Sequence, residues 1–166
     1  EKGYRFTQVY CFEPVLNSYL KKQVQSFDHT IYKRKQILVY GRPSVARNAF
    51  ELVVDSLRKW VSIQLGVESW TVISAGEEHD PVYLGEEMYL NSVGKLTIEE
   101  YAKVLKESYA GISLMVSPHP SYPPLEMSVF DVKVITNCYG NKDLSKFSEN
   151  IISVKDYIKK PKASGY

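Results

Sequence analysis

The sequence predicts an α/β fold, a Rossmann-like parallel sheet flanked by helices, formed by residues 31–166. From residue 36 onward, short apolar runs alternate with stretches whose apolar residues recur every three or four positions. Glycine or proline follows most of the runs, which is typical of strand ends. Because strands separated by helices form βαβ units, we expect the strands to pair in parallel.

The first strand and helix have the clearest pattern. Residues 36–40 (QILVY) are continuously apolar, as expected for a strand buried on both faces, and Gly41 and Pro43 follow it. A helix is predicted over about residues 45–65 because its apolar residues form one stripe. This stripe consists of Phe50, Val53, Val54, Leu57, Val61 and Leu65.

The next segment predicts two more strands around an acidic loop. Residues 70–75 (WTVISA) form the second strand, which Gly76 ends. Residues 77–87 are acidic and contain proline and glycine, so we predict a loop. Residues 88–93 form a weaker third strand, which ends at Gly94.

The second half continues the alternation. Thr97 and Glu100 have the spacing of a capping box, which predicts a helix running to about Tyr109. The remaining predicted elements are a strand at 111–117, a helix from Pro123 and Pro124 to about Phe130, a strand at 132–137, a short helix at 144–148 and a strand at 151–154. Residues 1–30 do not fit this alternation, and we interpret them as an entry strand and linker from a preceding domain.

Charge and known motifs exclude several classes of function. The net charge is only +2, from 21 basic and 19 acidic residues, which argues against a nucleic-acid partner. No G-x-G-x-x-G follows a strand, and neither a P-loop nor a G-x-S-x-G motif occurs. We therefore predict no dinucleotide cofactor and no P-loop chemistry. We also expect no other bound cofactor.

Cysteine usage and hydropathy indicate a cytoplasmic location. Cys11 and Cys138 match no metal-binding spacing, so we predict two free thiols in a reducing compartment. No apolar run approaches the roughly 18 residues of a membrane span, and the start lacks a signal-peptide pattern. Lysines near the C-terminus could contact an anionic membrane surface, although a solvated terminus is the simpler explanation.

Ligands of open parallel sheets bind beyond the carboxyl ends of the strands, and this rule selects the loops that follow them. Two of these loops are a glycine followed by a cation, Gly41 with Arg42 and Gly94 with Lys95. Glycines such as Gly76 let the backbone approach a ligand closely. Arg42 and Lys95 could neutralise a diphosphate, and their shared position favours this over two unrelated surface cations.

The loop before the helix at 123–130 has further candidates. Ser121 could cap this helix, and its hydroxyl or the N–H groups near Tyr122 could bind a phosphate. Tyr122 could stack on a base or be a core aromatic. Glu126 could accept hydrogen bonds from the vicinal hydroxyls of a ribose or be a surface acid. His119 could be a general base, a hydrogen-bond donor to the donor sugar or phosphate, or a structural residue between prolines.

Other titratable residues receive no functional role. His29 and His79 are expected at the surface. Glu77, Glu78 and Asp80 could bind a cation, but an isolated acidic loop is usually solvated, so we predict no metal site.

Residues 117–137 (SPHPSYPPLEMSVFDVKVITN) resemble the donor-site loop and helix of GT-B glycosyltransferases of family 4. In that family a G-x-P-x-x-E element opens a helix whose glutamate binds the ribose of the nucleotide. The version SPHPSYPPLEM is similar to that of the WsaF-type rhamnosyltransferases, which use dTDP-L-rhamnose in bacterial surface-glycan assembly. Residues 40–43 (YGRP), 47–50 (RNAF) and 94–96 (GKL) are also similar, and the resemblance covers about residues 36–155.

The resemblance implies a C-terminal donor-binding domain with a role for each matching residue. Arg42 and Lys95 would bind the diphosphate and stabilise its charge during catalysis, Tyr122 would contact the nucleotide, and Glu126 the ribose. The acceptor, a saccharide or lipid-linked glycan, would bind against a missing N-terminal GT-B domain. The isolated chain is therefore expected to bind a dTDP- or UDP-sugar without transferring it.

One departure from the broader family leaves the stereochemical outcome and the donor sugar undetermined. Retaining enzymes often have a pair of glutamates in an E-x7-E spacing, but Pro118 occupies the first position here. His119 could partly replace that acid, and neither the stereochemical outcome nor the donor sugar follows from the sequence. A sugar-nucleotide epimerase of the same half-fold and a non-catalytic α/β binding module remain as alternatives.

Overall fold

A seven-stranded sheet with helices on both faces forms the framework of the molecule. The computed structural model describes residues 15–30, 32–118, 121–140 and 142–155. The strands are β1 (Arg34–Tyr40), β2 (Thr71–Ala75), β3 (Val82–Gly85), β4 (Met88–Ser92), β5 (Ser108–Ile112), β6 (Lys133–Asn137) and β7 (Ile151–Val154). The helices are α1 (Ser18–Gln25), α2 (Phe50–Ile63), α3 (Ile98–Glu107) and α4 (Tyr122–Ser128).

The strand order confirms the predicted fold class. The sheet has the order β3-β4-β2-β1-β5-β6-β7, and every pair is parallel except β3 with β4. Counted in chain order, the six parallel strands follow the 3-2-1-4-5-6 order of doubly wound Rossmann folds. The carboxyl ends of β1, β2 and β4 therefore lie at one edge of the sheet.

Strand β1 connects the two halves of the core. Its side chains alternate between the faces, so Ile37 and Val39 pack with the buried stripe of α2, whereas Leu38 packs with residues of α1, α3 and α4. The predicted stripe on α2 is buried from Phe50 to Val61, but Leu65 is 92% exposed, so its inclusion was wrong. The helix ends at Ile63, and the backbone beyond no longer follows the helical period.

The segment predicted as an acidic loop contains a strand. Strand β3 pairs with β4 in an antiparallel hairpin, and Leu84 of β3 is buried against the α2 side of the core. The turn places Glu86 and Glu87 at φ values of 48° and 57°. Hairpin turns with positive φ usually contain asparagine, aspartate or glycine, so a Glu-Glu turn gives no recognisable signal.

The borders of α3 and β5 differ from the prediction. Thr97 and Glu100 form both hydrogen bonds of the predicted capping box, but α3 ends at Glu107 and β5 begins at the next residue. The strand predicted at 111–117 thus lies at Ser108–Ile112 instead. Gly111 allows β5 to approach α4, because a Cβ atom there would lie 2.5 Å from the Sδ atom of Met127.

The described part of the N-terminal segment, which was predicted as an entry strand and linker, contains helix α1. Asn17 caps α1 by accepting a hydrogen bond from the Tyr19 N–H, and Leu20 is fully buried in the core beneath α3. Strands β6 and β7 match their predicted positions, and the short helix predicted at 144–148 is a 3-10 turn, Leu144–Lys146. The division between linker and domain near residue 30 stays a prediction.

Among the described helices, none is long and apolar enough to cross a bilayer. Cys138 is a half-buried free thiol, whereas Cys11 and the basic residues beyond Lys155 lie outside the described residues.

Candidate functional site

Backbone hydrogen bonds join the loops that follow β1, β2 and β4 into one rim. The Gly41 N–H donates to the Ala75 carbonyl at 3.3 Å, and the Gly76 N–H donates to the Gly94 carbonyl at 2.9 Å. The Val93 N–H donates to the carbonyl of Ser74 at 2.9 Å. The glycines selected from the sequence therefore belong to one continuous strip of backbone at the edge of the sheet.

A cavity of about 430 Å³ opens at this rim. It is lined by Tyr40, Arg42, Ala75, Gly76, Lys95, Leu96, Thr97, Ile98, Tyr101 and Glu126. Four residues selected from the sequence, Arg42, Gly76, Lys95 and Glu126, thus surround one space. Its volume is within the range of roughly 300–1,000 Å³ that small-molecule sites have.

Three other described clefts lie away from the carboxyl ends of β1, β2 and β4. One, of about 490 Å³, lies at the amino ends of β2 and β4, and an apolar one of about 330 Å³ lies between α2 and the β5–β6 face; no lysine or arginine lines either. The third, of about 370 Å³, contains cations and carboxylates, but it lies at the amino end of β1, where Arg34 is paired with Glu107.

Gly76 permits the close packing of the first two loops. Its φ of +121° is a conformation that other residues rarely adopt. A Cβ atom at this position would lie 3.2 Å from the Cγ atom of Arg42 and 3.4 Å from the Gly41 carbonyl oxygen. The missing side chain therefore makes room for the stem of Arg42 beside the backbone of the second loop.

The two cations of the cavity have no carboxylate partner within salt-bridge distance in the described part of the chain. Arg42 is half-buried and Lys95 is exposed. The buried side chain of Asn48 fixes the backbone beside Arg42, because its Oδ1 atom accepts from the Arg42 N–H at 3.2 Å. Both positive charges are thus free to face an anion.

Glu77 has a structural role that the sequence did not indicate. Its Oε2 atom accepts from the hydroxyl of Ser44 at 2.7 Å and from the Ser44 N–H at 3.2 Å. Its carbonyl accepts from the Ser92 hydroxyl at 3.0 Å, and that hydroxyl in turn accepts from the Gly94 N–H. One residue therefore ties the loops after β1, β2 and β4 together.

The rest of the acidic loop is also held by local bonds. His79, expected at the surface, is partly buried, with Nε2 2.6 Å from the Ser74 hydroxyl and Nδ1 2.7 Å from the Asp80 carbonyl oxygen. Among the described residues, no group of three or more His, Cys, Asp or Glu side chains is arranged to hold a metal ion.

The inner end of the cavity combines one carboxylate with two tyrosines. Glu126 is half-buried on α4, and burial raises the pKa of its carboxyl group, while the nearby Tyr101 hydroxyl lowers it. Burial, and then the negative charge of Glu126, hold the pKa of Tyr101 well above its usual value. The ring centroids of Tyr40 and Tyr101 are 6.0 Å apart, and burial and Glu126 also raise the pKa of Tyr40.

The sequence analysis selected neither tyrosine as a site residue. Tyr40 ends an apolar strand and Tyr101 occupies a position on α3 that is 8% exposed, so each resembles an ordinary core aromatic. The available signal was chemical, because a buried tyrosine, unlike phenylalanine, has a hydroxyl that requires a partner.

The predicted cap of α4 was wrong. Ser121 occupies the N-cap position, but its side chain makes no capping hydrogen bond, and its buried hydroxyl has no partner among the described residues. A capping side chain normally accepts from the second or third N–H of the helix, and these positions are Pro123 and Pro124, which have no N–H. Neither Ser121 nor the exposed Tyr122 lines the cavity.

His119 lies outside the described residues, so each of its three predicted roles stays a prediction. The loop that leads to it is anchored from β6. The side chain of Asn137 accepts from the Met115 N–H at 2.8 Å, and the ammonium of Lys142 donates to the Ser117 carbonyl at 2.9 Å. Burial lowers the pKa of Lys142.

Comparison with known proteins gives two findings. A family model described as the WsaF C-terminal domain matches residues 35–162. The O-antigen biosynthesis protein RfbC of Myxococcus xanthus is 36% identical over 102 residues, which are 61% of the chain. The matched region is only 8% of the length of that relative, so the chain corresponds to a small part of it.

Proposed function

Because the chain belongs to the WsaF C-terminal domain family, we propose that it is the nucleotide-sugar-binding domain of a GT-B glycosyltransferase. The observation that carries this proposal is the shared cavity of Arg42, Lys95 and Glu126 at the carboxyl edge of a Rossmann-like sheet. The name of the relative, an O-antigen biosynthesis protein, supports a role in assembling a bacterial surface polysaccharide. The proposed location is the cytoplasm.

The donor would bind with its diphosphate between the two cations. The guanidinium of Arg42 can bind phosphate oxygens in a bidentate fork, and Lys95 adds a compact positive charge. The backbone of Gly41, Gly76 and Gly94 allows close approach at the rim. Glu126, at the inner end of the cavity, would accept hydrogen bonds from the pentose of the nucleotide.

The remaining candidate residues would bind the donor from the loop before α4 and from its first turn. Tyr122 is exposed at the first position of α4 and would contact the base. Ser121 would need to turn its hydroxyl from the interior to reach a phosphate. His119 would act at the donor sugar, partly in place of the acid that Pro118 does not supply.

The chemistry proposed for the cavity is stabilisation of the leaving group. Transfer breaks the bond between the anomeric carbon and the diphosphate oxygen while an acceptor hydroxyl attacks that carbon and loses its proton. Negative charge then grows on the diphosphate, where positioned cations stabilise the transition state more than the ground state. Arg42 and Lys95 would be these cations.

The acceptor would bind between this domain and a second GT-B domain. We propose that the acceptor is a saccharide or lipid-linked glycan and that the chain alone binds the donor without transferring it. The donor would be dTDP-L-rhamnose or a related dTDP- or UDP-sugar, as the family resemblance implies. Release of an isomerised sugar without any acceptor would instead indicate a sugar-nucleotide epimerase.

Isothermal titration calorimetry with dTDP and UDP tests this function. We expect Lys95→Ala and Glu126→Ala each to weaken binding by about tenfold to a hundredfold, since a charge-assisted contact contributes roughly 1.5–3 kcal/mol. Lys59→Ala on α2 and Glu149→Ala before β7 are matched controls, because both side chains are exposed and distant from the cavity lining. A folded parent chain that binds neither nucleotide would contradict the proposal and favour a non-catalytic binding module.

A further inference from the structure

The hydroxyl of Tyr101 is an unexplained polar group beside the cavity. The ring lines the cavity and is otherwise part of the core, with 8% of the residue exposed. The hydroxyl oxygen is closed to solvent and has no hydrogen-bond partner in the described part of the chain. Native proteins rarely leave a buried donor unpaired, so each case requires a reason.

Core packing does not supply that reason. A phenylalanine would fill the same space against Tyr40 and the rest of the cluster without burying an unpaired hydroxyl. The Glu126 carboxylate is the charged group that interacts with this hydroxyl: it raises the pKa of Tyr101, and the hydroxyl lowers the pKa of Glu126, although their present geometry leaves the hydrogen bond incomplete. Only a small movement of the Glu126 side chain would therefore complete the bond.

We propose that Tyr101 is a positioning residue. Its hydroxyl already acts on the Glu126 carboxylate in the free chain, and it donates a closer hydrogen bond when a nucleotide occupies the cavity, which holds that carboxylate toward a pentose hydroxyl. Because the hydroxyl is closed to solvent, it acts on the ligand through Glu126. This inference rests on the proposed function, the binding of a nucleotide sugar in the same cavity.

The burial of Glu126 explains why its ionised form needs a hydrogen-bond donor. Burial is the largest influence on the pKa of Glu126 and raises it. The titratable groups that share the cavity with it are Tyr40 of β1, Arg42 after β1, Lys95 before α3 and Tyr101 of α3. Strands β5, β6 and β7 also pack against α4, but they place no charged side chain in the cavity lining.

Burial and the Tyr101 hydroxyl are the influences on the pKa of Glu126, whereas the two cations of the cavity would engage the diphosphate. Tyr101 is the neighbour whose hydroxyl has no other partner among the described residues and no access to water. It is therefore the donor best placed to keep Glu126 ionised and oriented once the ligand has bound.

The variant Tyr101→Phe removes only this hydroxyl. The affinity for dTDP and UDP should be measured from about pH 4 to about pH 9, a range that begins below the ordinary carboxyl pKa. We expect binding at neutral pH to weaken about threefold to tenfold, less than for the loss of a direct contact with the ligand, because the hydroxyl acts on the ligand only through Glu126. The pH at which affinity falls on the acid side should rise, and part of the lost affinity should return at alkaline pH.

Two controls separate positioning from structure. Tyr109→Phe removes the hydroxyl of an exposed tyrosine that does not line the cavity, and it should leave both affinity and pH profile unchanged. In a Glu126→Gln background, which has no carboxylate to orient or titrate, Tyr101→Phe should cause no further change. If Tyr101→Phe weakened nucleotide binding as much in the Glu126→Gln background as in the parent, or by the same factor at every pH, its role would be merely structural and the inference would be overturned.

A measurement without ligand keeps this inference distinct from the proposed function. The pKa of the Glu126 carboxyl, followed by NMR in the free chain, should be higher in Tyr101→Phe than in the parent. If the parent binds no nucleotide, the proposed function fails, whereas an unchanged Glu126 pKa overturns the role of Tyr101. Because the hydroxyl has no structural partner, Tyr101→Phe should fold at least as stably as the parent, and an unfolded variant would also refute the inference.

Discussion

Replacement of Gly76 by alanine tests whether the rim of the cavity depends on a conformation that only glycine adopts easily. The φ of +121° is strained for alanine by about 1–3 kcal/mol. The added Cβ would also lie 3.2 Å from the Cγ atom of Arg42, which adds about 1 kcal/mol of crowding unless that side chain moves. We expect Gly76→Ala to lower the free energy of unfolding by about 2–4 kcal/mol in total.

Denaturant unfolding measures this loss, and calorimetry measures its effect on the site. For a chain of this size, the melting temperature should fall by about 5–15 °C. Nucleotide affinity should fall as well, because the displaced side chain belongs to Arg42. Gly140→Ala is the matched control, since Gly140 also has a positive φ, of +56°, but nothing lies within 4 Å of an added Cβ.

Gly140→Ala should lower the free energy of unfolding by about 1 kcal/mol, the usual strain of an alanine in the left-handed region, and should not affect nucleotide binding. If Gly76→Ala destabilised the chain no more than Gly140→Ala and bound nucleotide as well as the parent, the close packing of Arg42 on Gly76 would have no functional meaning.

Two further predictions concern stability. Gly111→Ala should lower the free energy of unfolding by about 2–3 kcal/mol in denaturant titrations, because its Cβ would lie 2.5 Å from the buried Met127 Sδ atom; an unchanged midpoint would contradict the packing of α4 on β5. Glu126→Gln should stabilise the free chain at neutral pH. Since the folded state raises the pKa of Glu126 above its ordinary 4.5, it binds this proton more tightly than the unfolded chain does, so the parent loses stability as pH rises from the unfolded toward the folded pKa. The gain in unfolding free energy from Glu126→Gln should disappear below that pH window. A gain that is equal at all pH values would be evidence against a raised pKa of Glu126.

Local signals explain the parts of the fold that the sequence predicted. Strand β1 is buried on both faces and therefore appears as a continuous apolar run. The capping box of Thr97 and Glu100 needs only residues three positions apart, so its pattern survives in any context. The convergence of Arg42 and Lys95 follows from parallel pairing, which brings the carboxyl ends of β1 and β4 to one edge.

Tertiary contacts explain the parts that were missed. The apolar run at 111–117 continues beyond the end of β5, because Leu114 packs against the core from a loop rather than from a strand. Local propensity also indicated Ser121 as a cap, although the prolines that follow it remove the N–H groups that a cap requires.

The tyrosines of the cavity show the limit of sequence reasoning most clearly. Tyr101 lies on the buried stripe of α3, where an aromatic residue needs no functional explanation. That its hydroxyl lacks a partner and lies near Glu126 depends on the packing of α3 beside α4, which no local pattern encodes. Site residues whose role depends on long-range packing can therefore be identified only from the structure.

NMR chemical-shift mapping of the isotope-labelled chain with dTDP and UDP tests the central claim most directly. If the cavity at the edge of the sheet binds the nucleotide, the largest shifts should occur at the amides of Gly41, Gly76, Gly94 and Lys95 and along α4 near Glu126. Shifts concentrated in the apolar cleft between α2 and the β5–β6 face, with the rim unaffected, would contradict it.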